Sequence, residues 1–114
     1  MMAELTYRFR LSATLWEWVD WWADTEVACA GDAHDNPEAN VVLDKLRALE
    51  PAVLRADENR RRGWRWERTF ALDLTPAEAG ELSHILPSSA YSAPRGLDRL
   101  RDRLADASWK GQEA

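Results

Sequence analysis

Two stretches of this chain alternate apolar and polar residues with a period of two, and much of the remainder repeats at helical spacing. In residues 3–11, Ala3, Leu5, Tyr7, Phe9 and Leu11 share one side, and Glu4, Thr6, Arg8 and Arg10 share the other. In residues 64–74, Trp64, Trp66, Phe70, Leu72 and Leu74 have one parity, while Arg65, Glu67, Thr69 and Asp73 have the other. Period two marks a strand with one wet face. Arg68 falls on the apolar parity, which predicts a bulge, a strand end or a snorkelling side chain there.

Helical signals fill the space between and after these strands. Leu15, Trp18, Val19 and Trp22 lie on one stripe, predicting an amphipathic helix over 14–29 with Ser12 or Thr14 as its N-cap. The turn cluster GDAHDN leads to Asn36-Pro37, an N-cap followed by proline at the first helical position. Val42, Leu46, Leu49 and Val53 keep one phase through Pro51, so a single helix over about 37–59, kinked at that proline, is expected. Two shorter helices are the alternative. Thr75-Pro76-Ala77-Glu78 reads as a cap, a proline and a capping box. The helix it opens carries Ala79, Leu82 and Leu86 and stops at Pro87, and a last helix carries Leu97, Leu100, Leu104 and Ala107, with Trp109 off their stripe.

The order is therefore β-α-α-β-α-α, and two helices between the strands make them antiparallel neighbours. The expected fold is a small α+β domain in which about four helices pack a two-stranded antiparallel sheet, too small to stand alone. A length of 114 residues fits one domain over 1–114. The single cysteine excludes an internal disulfide and a four-cysteine zinc site. No apolar run approaches the roughly 18 residues of a spanning helix. The opening MMAELTYRFRLS is charged where a secretory signal has its apolar core, so a soluble, cytoplasmic protein is expected.

Charge is unevenly spread within the net −5. Residues 1–59 carry 5 basic and 12 acidic side chains, and residues 60–114 carry 10 basic and 8 acidic. Between Leu11 and Asp44 there is no lysine or arginine, so the first helix has an unneutralised acidic back on which Glu17, Asp20 and Asp24 converge. Trp16 and Trp21 flank these carboxylates. Four of the seven tryptophans, Trp16, Trp18, Trp21 and Trp22, sit on this one helix, which cannot turn all of them to a core. Trp16, Glu17, Asp20, Trp21 and Asp24 are accordingly the expected partner-binding surface, suited to a protein offering arginine or lysine.

A second feature is basic. Arg60, Arg61, Arg62 and Arg65 interleave with Trp64 and Trp66, and Arg8 and Arg10 share the wet face of the paired strands with Arg65. Arginine among aromatics is suited to phosphates and bases, or to an acidic partner. The acidic balance of the whole chain disfavours nucleic acid and an anionic membrane.

Catalytic signals are thin. Asp32, His34 and Asp35 crowd one turn near Cys29, but such turns usually satisfy their own backbone, and no second histidine stands at ligand spacing. Cys29 ends an apolar stripe and is expected to be buried; His84 falls on the polar side of its helix. No phosphate-binding glycine loop, HExxH or GxSxG occurs. The reading is a non-enzymatic interaction protein, an adaptor or stoichiometric inhibitor, with no cofactor or metal and with a homodimer compatible with its free sheet edges. Size and charge resemble phage or mobile-element inhibitors of nucleic-acid-handling host proteins, an analogy without a motif behind it. A nucleic-acid-binding regulator using residues 60–68 is the alternative, and a small enzyme the third reading.

Overall fold

The computed structural model describes residues 5–30, 36–61, 68–87 and 94–113. Strand β1 (Tyr7–Ser12) pairs antiparallel with β2 (Thr69–Leu74), in a register that sets Tyr7 opposite Leu74 and Ser12 opposite Thr69. The alternation works as expected: Phe9, Leu11, Phe70, Leu72 and Leu74 are buried, and Arg8 and Asp73 point to the wet face. The pairing is shorter than the alternating runs. Leu5, expected on the apolar face, is 54% exposed, because Leu74 is the last residue of β2 and Thr75 already caps the next helix. At the other end β1 gives way to a helix after Ser12, so β2 begins at its partner Thr69 and Arg68 lies exposed just before it. Ala3, Trp64 and Trp66 lie outside the described residues.

Helix α1 (Ala13–Ala30) starts where the Ser12 hydroxyl accepts the Leu15 N–H at 3.2 Å. Helix α2 (Pro37–Ala48) has Asn36 as its N-cap, the side-chain oxygen accepting the Ala39 N–H at 3.2 Å, with Pro37 in the first turn. The same Asn36 amide donates to Glu81 at 2.8 Å, tying the start of α2 to a later helix.

The expected single helix over 37–59 is divided. Helix α3 (Glu50–Arg61) follows α2 after Leu49, placing Pro51 in its first turn, where the missing N–H goes unneeded. The apolar stripe nevertheless continues from Val42 and Leu46 to Val53, all buried.

Helix α4 (Pro76–Ile85) carries the full capping box: the Thr75 hydroxyl accepts the Glu78 N–H at 3.2 Å, and the Glu78 carboxylate accepts the Thr75 N–H at 2.9 Å. Lys45 of α2 donates to the same carboxylate at 2.6 Å and to the Asp73 carbonyl at 2.9 Å. One lysine thus joins α2, the end of β2 and the start of α4.

Helix α5 (Leu97–Glu113) buries Leu97, Leu100, Leu104 and Ala107 and leaves Trp109 62% exposed. It lies close against α4 because two glycines allow it. A Cβ on Gly80 would stand 2.5 Å from the Ser108 hydroxyl, and one on Gly111 would stand 2.6 Å from Cγ of Pro76. The helices cover the apolar face of the sheet, and Arg103 of α5 reaches over the Phe9 ring at 5.9 Å. Among the described residues, no helix is long and apolar enough to cross a membrane.

Candidate functional site

The surface of α1 is decided by which tryptophans its neighbours cover. Its buried residues are Leu15, Trp16, Val19 and Ala23. The expected core stripe of Leu15, Trp18, Val19 and Trp22 is thus rotated toward Trp16. Trp16, expected beside the partner surface, is only 7% exposed, and its indole N–H donates to the Leu46 carbonyl at 2.9 Å. The physical reason lies in α2, which packs along that flank and ends there, turning a terminal carbonyl toward the indole. Trp16 is a core residue of the monomer and not the exposed flank expected from the sequence.

Trp21 is the opposite case, with 59% of its surface exposed. Trp18 and Trp22 are half-buried at the margin of the core. Trp21 meets Trp22 edge to face, with ring centroids 4.9 Å apart and planes at 90°. Trp18 lies 6.3 Å from Trp22 at 55°. Together with Thr14, Glu17 and Pro94, these rings line a hollow of about 550 Å³. The indole nitrogens of Trp18 and Trp22 are buried without a hydrogen-bond partner among the described residues.

The three acids named from the sequence occupy different environments. Glu17 is exposed on the rim of the tryptophan hollow and also borders a smaller one of about 230 Å³, whose other walls include Val53 and the exposed Leu54 of α3. Asp20 is half-buried, with Oδ1 unpartnered among the described residues. Its desolvation holds the carboxyl above the usual carboxylate range; nearby Arg47 opposes the shift, and Asp24 and Glu50 add to it. Asp24 is exposed but paired, accepting from Arg47 at 2.7 Å. The acidic back is therefore not unneutralised as expected: Arg47 lies far along the chain on α2, which folds against α1.

The basic candidates do not assemble into one patch among the described residues. Arg8 forks onto Asp73 across the strands, Nε to Oδ1 at 3.0 Å and Nη2 to Oδ2 at 3.3 Å. That hydrogen bond raises the guanidinium pKa and lowers that of the Asp73 carboxyl. Arg10 is exposed opposite Ala71. Arg60 and Arg61 close α3, but their side chains, like Arg62 and Arg65 entirely, lie outside the described residues. A hollow of about 140 Å³ between β1 and α5 brings Arg8, Arg103 and Lys110 together. Its cations are already engaged, Arg8 by Asp73, Lys110 by Asp106 at 3.0 Å and Arg103 by the Phe9 ring.

Cys29, expected in the core, is exposed. By the helical step it projects near Trp18, at the margin of the buried face, where cover is incomplete. His84 is exposed on α4, as its polar position implied. Among the described residues no group of three or more His, Cys, Asp or Glu side chains could hold a metal ion; Asp32, His34 and Asp35 lie outside them. Sequence reasoning missed Pro94 and Leu54 as walls of the two hollows. Neither carries a local signal, since each becomes a wall only by packing near α1. Comparison with family models, with curated proteins and with solved structures finds no match to this chain.

Proposed function

We propose that this protein acts by binding another protein through the tryptophan face of α1, as an adaptor or a stoichiometric inhibitor. One observation carries the reading: Trp21 stands mostly exposed in an apolar hollow of about 550 Å³ beside two further half-buried tryptophans. In the monomer Trp21 gains little beyond its edge-to-face contact with Trp22, whereas at an interface tryptophan is among the residue types that most often dominate binding. The surface differs from the one expected from the sequence. It keeps Trp21 and Glu17, loses Trp16 to the core and Asp24 to Arg47, and gains Trp18, Trp22, Thr14 and Pro94.

Capture from nuclease-treated lysate with the tagged wild type, Trp21→Ala and Trp109→Ala tests the proposal. Trp109 is equally exposed but lies on α5 and does not line the hollow. A protein retained by the wild type and by Trp109→Ala, and lost with Trp21→Ala, supports it. Retention indifferent to Trp21, or seen only when nucleic acid is left intact, overturns it.

A further inference from the structure

We infer that the anchor seated in this hollow is an arginine side chain of the partner protein, an inference that rests on the binding role proposed above. The hollow is lined by rings in three orientations, Trp21 perpendicular to Trp22 and Trp18 tilted by 55°. Tryptophan is the aromatic whose face attracts a cation most strongly. The one charged residue in the lining is Glu17, a helical turn before Trp21, and it makes no ion pair among the described residues. Its neighbour Asp24, by contrast, already holds Arg47.

These features together select the guest. A wholly apolar guest would leave the rim carboxylate without a counter-charge beside it, and an anion would be repelled by it. A cation answers both the rings and the carboxylate. Guanidinium suits the place better than ammonium: it is planar and weakly hydrated, so it stacks on an indole while its fork reaches a carboxylate. The volume of about 550 Å³ is more than one cationic head group fills, which leaves room for apolar side chains beside the arginine.

The test is calorimetric titration of the full chain with the blocked peptide acetyl-Leu-Arg-Leu-Ala-amide and with its citrulline counterpart, which keeps the shape and removes the charge. The arginine peptide is expected to bind at least about fivefold more tightly. That preference should fall to below about twofold in Glu17→Gln and in Trp21→Ala, each melting close to the wild type. Equal binding of the two peptides overturns the arginine anchor while leaving the docking role intact, since apolar contact then suffices. Failure of either peptide to bind at millimolar concentration also overturns it. Free choline binding as tightly as the arginine peptide reassigns the hollow to a small cation and overturns the protein-borne guest. Partner capture indifferent to Trp21→Ala counts against the docking role itself.

Discussion

The indole of Trp16 donates to the carbonyl of Leu46 at 2.9 Å, thirty residues further along the chain, and the bond joins the first helix to the end of the second. It turns a tryptophan that could have been surface into a fixture of the core, while Trp21, five residues later, remains in water.

The two tryptophans should therefore answer differently to truncation. Trp16→Ala should cost about 3–5 kcal/mol by loss of a buried aromatic, and Trp16→Phe about 1–2 kcal/mol, mainly for the lost hydrogen bond. Trp21→Ala should cost less than about 1 kcal/mol, the worth of an exposed edge-to-face contact. Urea denaturation of the three variants measures this. A Trp21→Ala loss as large as that of Trp16→Ala would place Trp21 in the core.

Gly111→Ala should destabilise the protein by about 1–3 kcal/mol even though alanine favours helix, because the new Cβ meets the rigid ring of Pro76. Gly80→Ala meets a serine hydroxyl at 2.5 Å, the end of a side chain that can turn away, so its cost should be smaller. Ser108→Ala should recover part of it. Thermal melts of Gly80→Ala with and without Ser108→Ala provide the check, and strictly additive losses would refute the close approach.

Lys45 and Glu78 should be strongly coupled. The Glu78 side chain is 11% exposed and that of Lys45 34%, so removing the lysine leaves a largely desolvated carboxylate with the Thr75 N–H as its remaining partner among the bonds described. Lys45→Met is expected to cost about 1–3 kcal/mol in the wild type and markedly less once Glu78 is glutamine. A double-mutant cycle reads the difference directly; a coupling near zero would show a pair no stronger than a surface one.

Asp20 and Asp73 should respond to pH with opposite signs. Desolvation raises the Asp20 carboxyl pKa in the folded state, so the ionised group opposes folding at neutral pH and is relieved as pH falls through its folded pKa. Asp20→Asn should thus raise the melting temperature near pH 7, with the gain fading in acid. The Asp73 pKa is lowered by its hydrogen bond to Arg8, so its contribution is present above the unfolded carboxylate value and lost as pH falls through the folded one. Asp73→Asn should lower the melting temperature near neutrality and converge on the wild type in acid. Parallel melting curves for wild type and both variants across that range would contradict both assignments.

Local chemistry was legible wherever neighbours along the chain supply both partners of an interaction. Asn36-Pro37 and Thr75-Pro76-Ala77-Glu78 start helices because cap, proline and acceptor stand within one turn, and the structure has both. Parity assigned Phe9, Leu11, Phe70, Leu72 and Leu74 to one face, and the helices expected between the strands implied their antiparallel pairing. The binding surface was legible only in part. Periodicity places Trp16 and Trp21 on opposite flanks of α1 but does not say which flank a neighbour will cover.

That choice belongs to the tertiary structure. Where α2 packs on α1, Trp16 finds the Leu46 carbonyl and Asp24 finds Arg47, both from positions distant in sequence. On the other flank Pro94 forms a wall of the hollow, and Trp21 stays exposed. Caps, strand faces and helix stripes are determined by the sequence itself, because torsion preferences and hydrogen bonds act over a few residues. Which tryptophan is buried and which is presented depends on long-range packing, where the area covered by a neighbouring element outweighs any local preference.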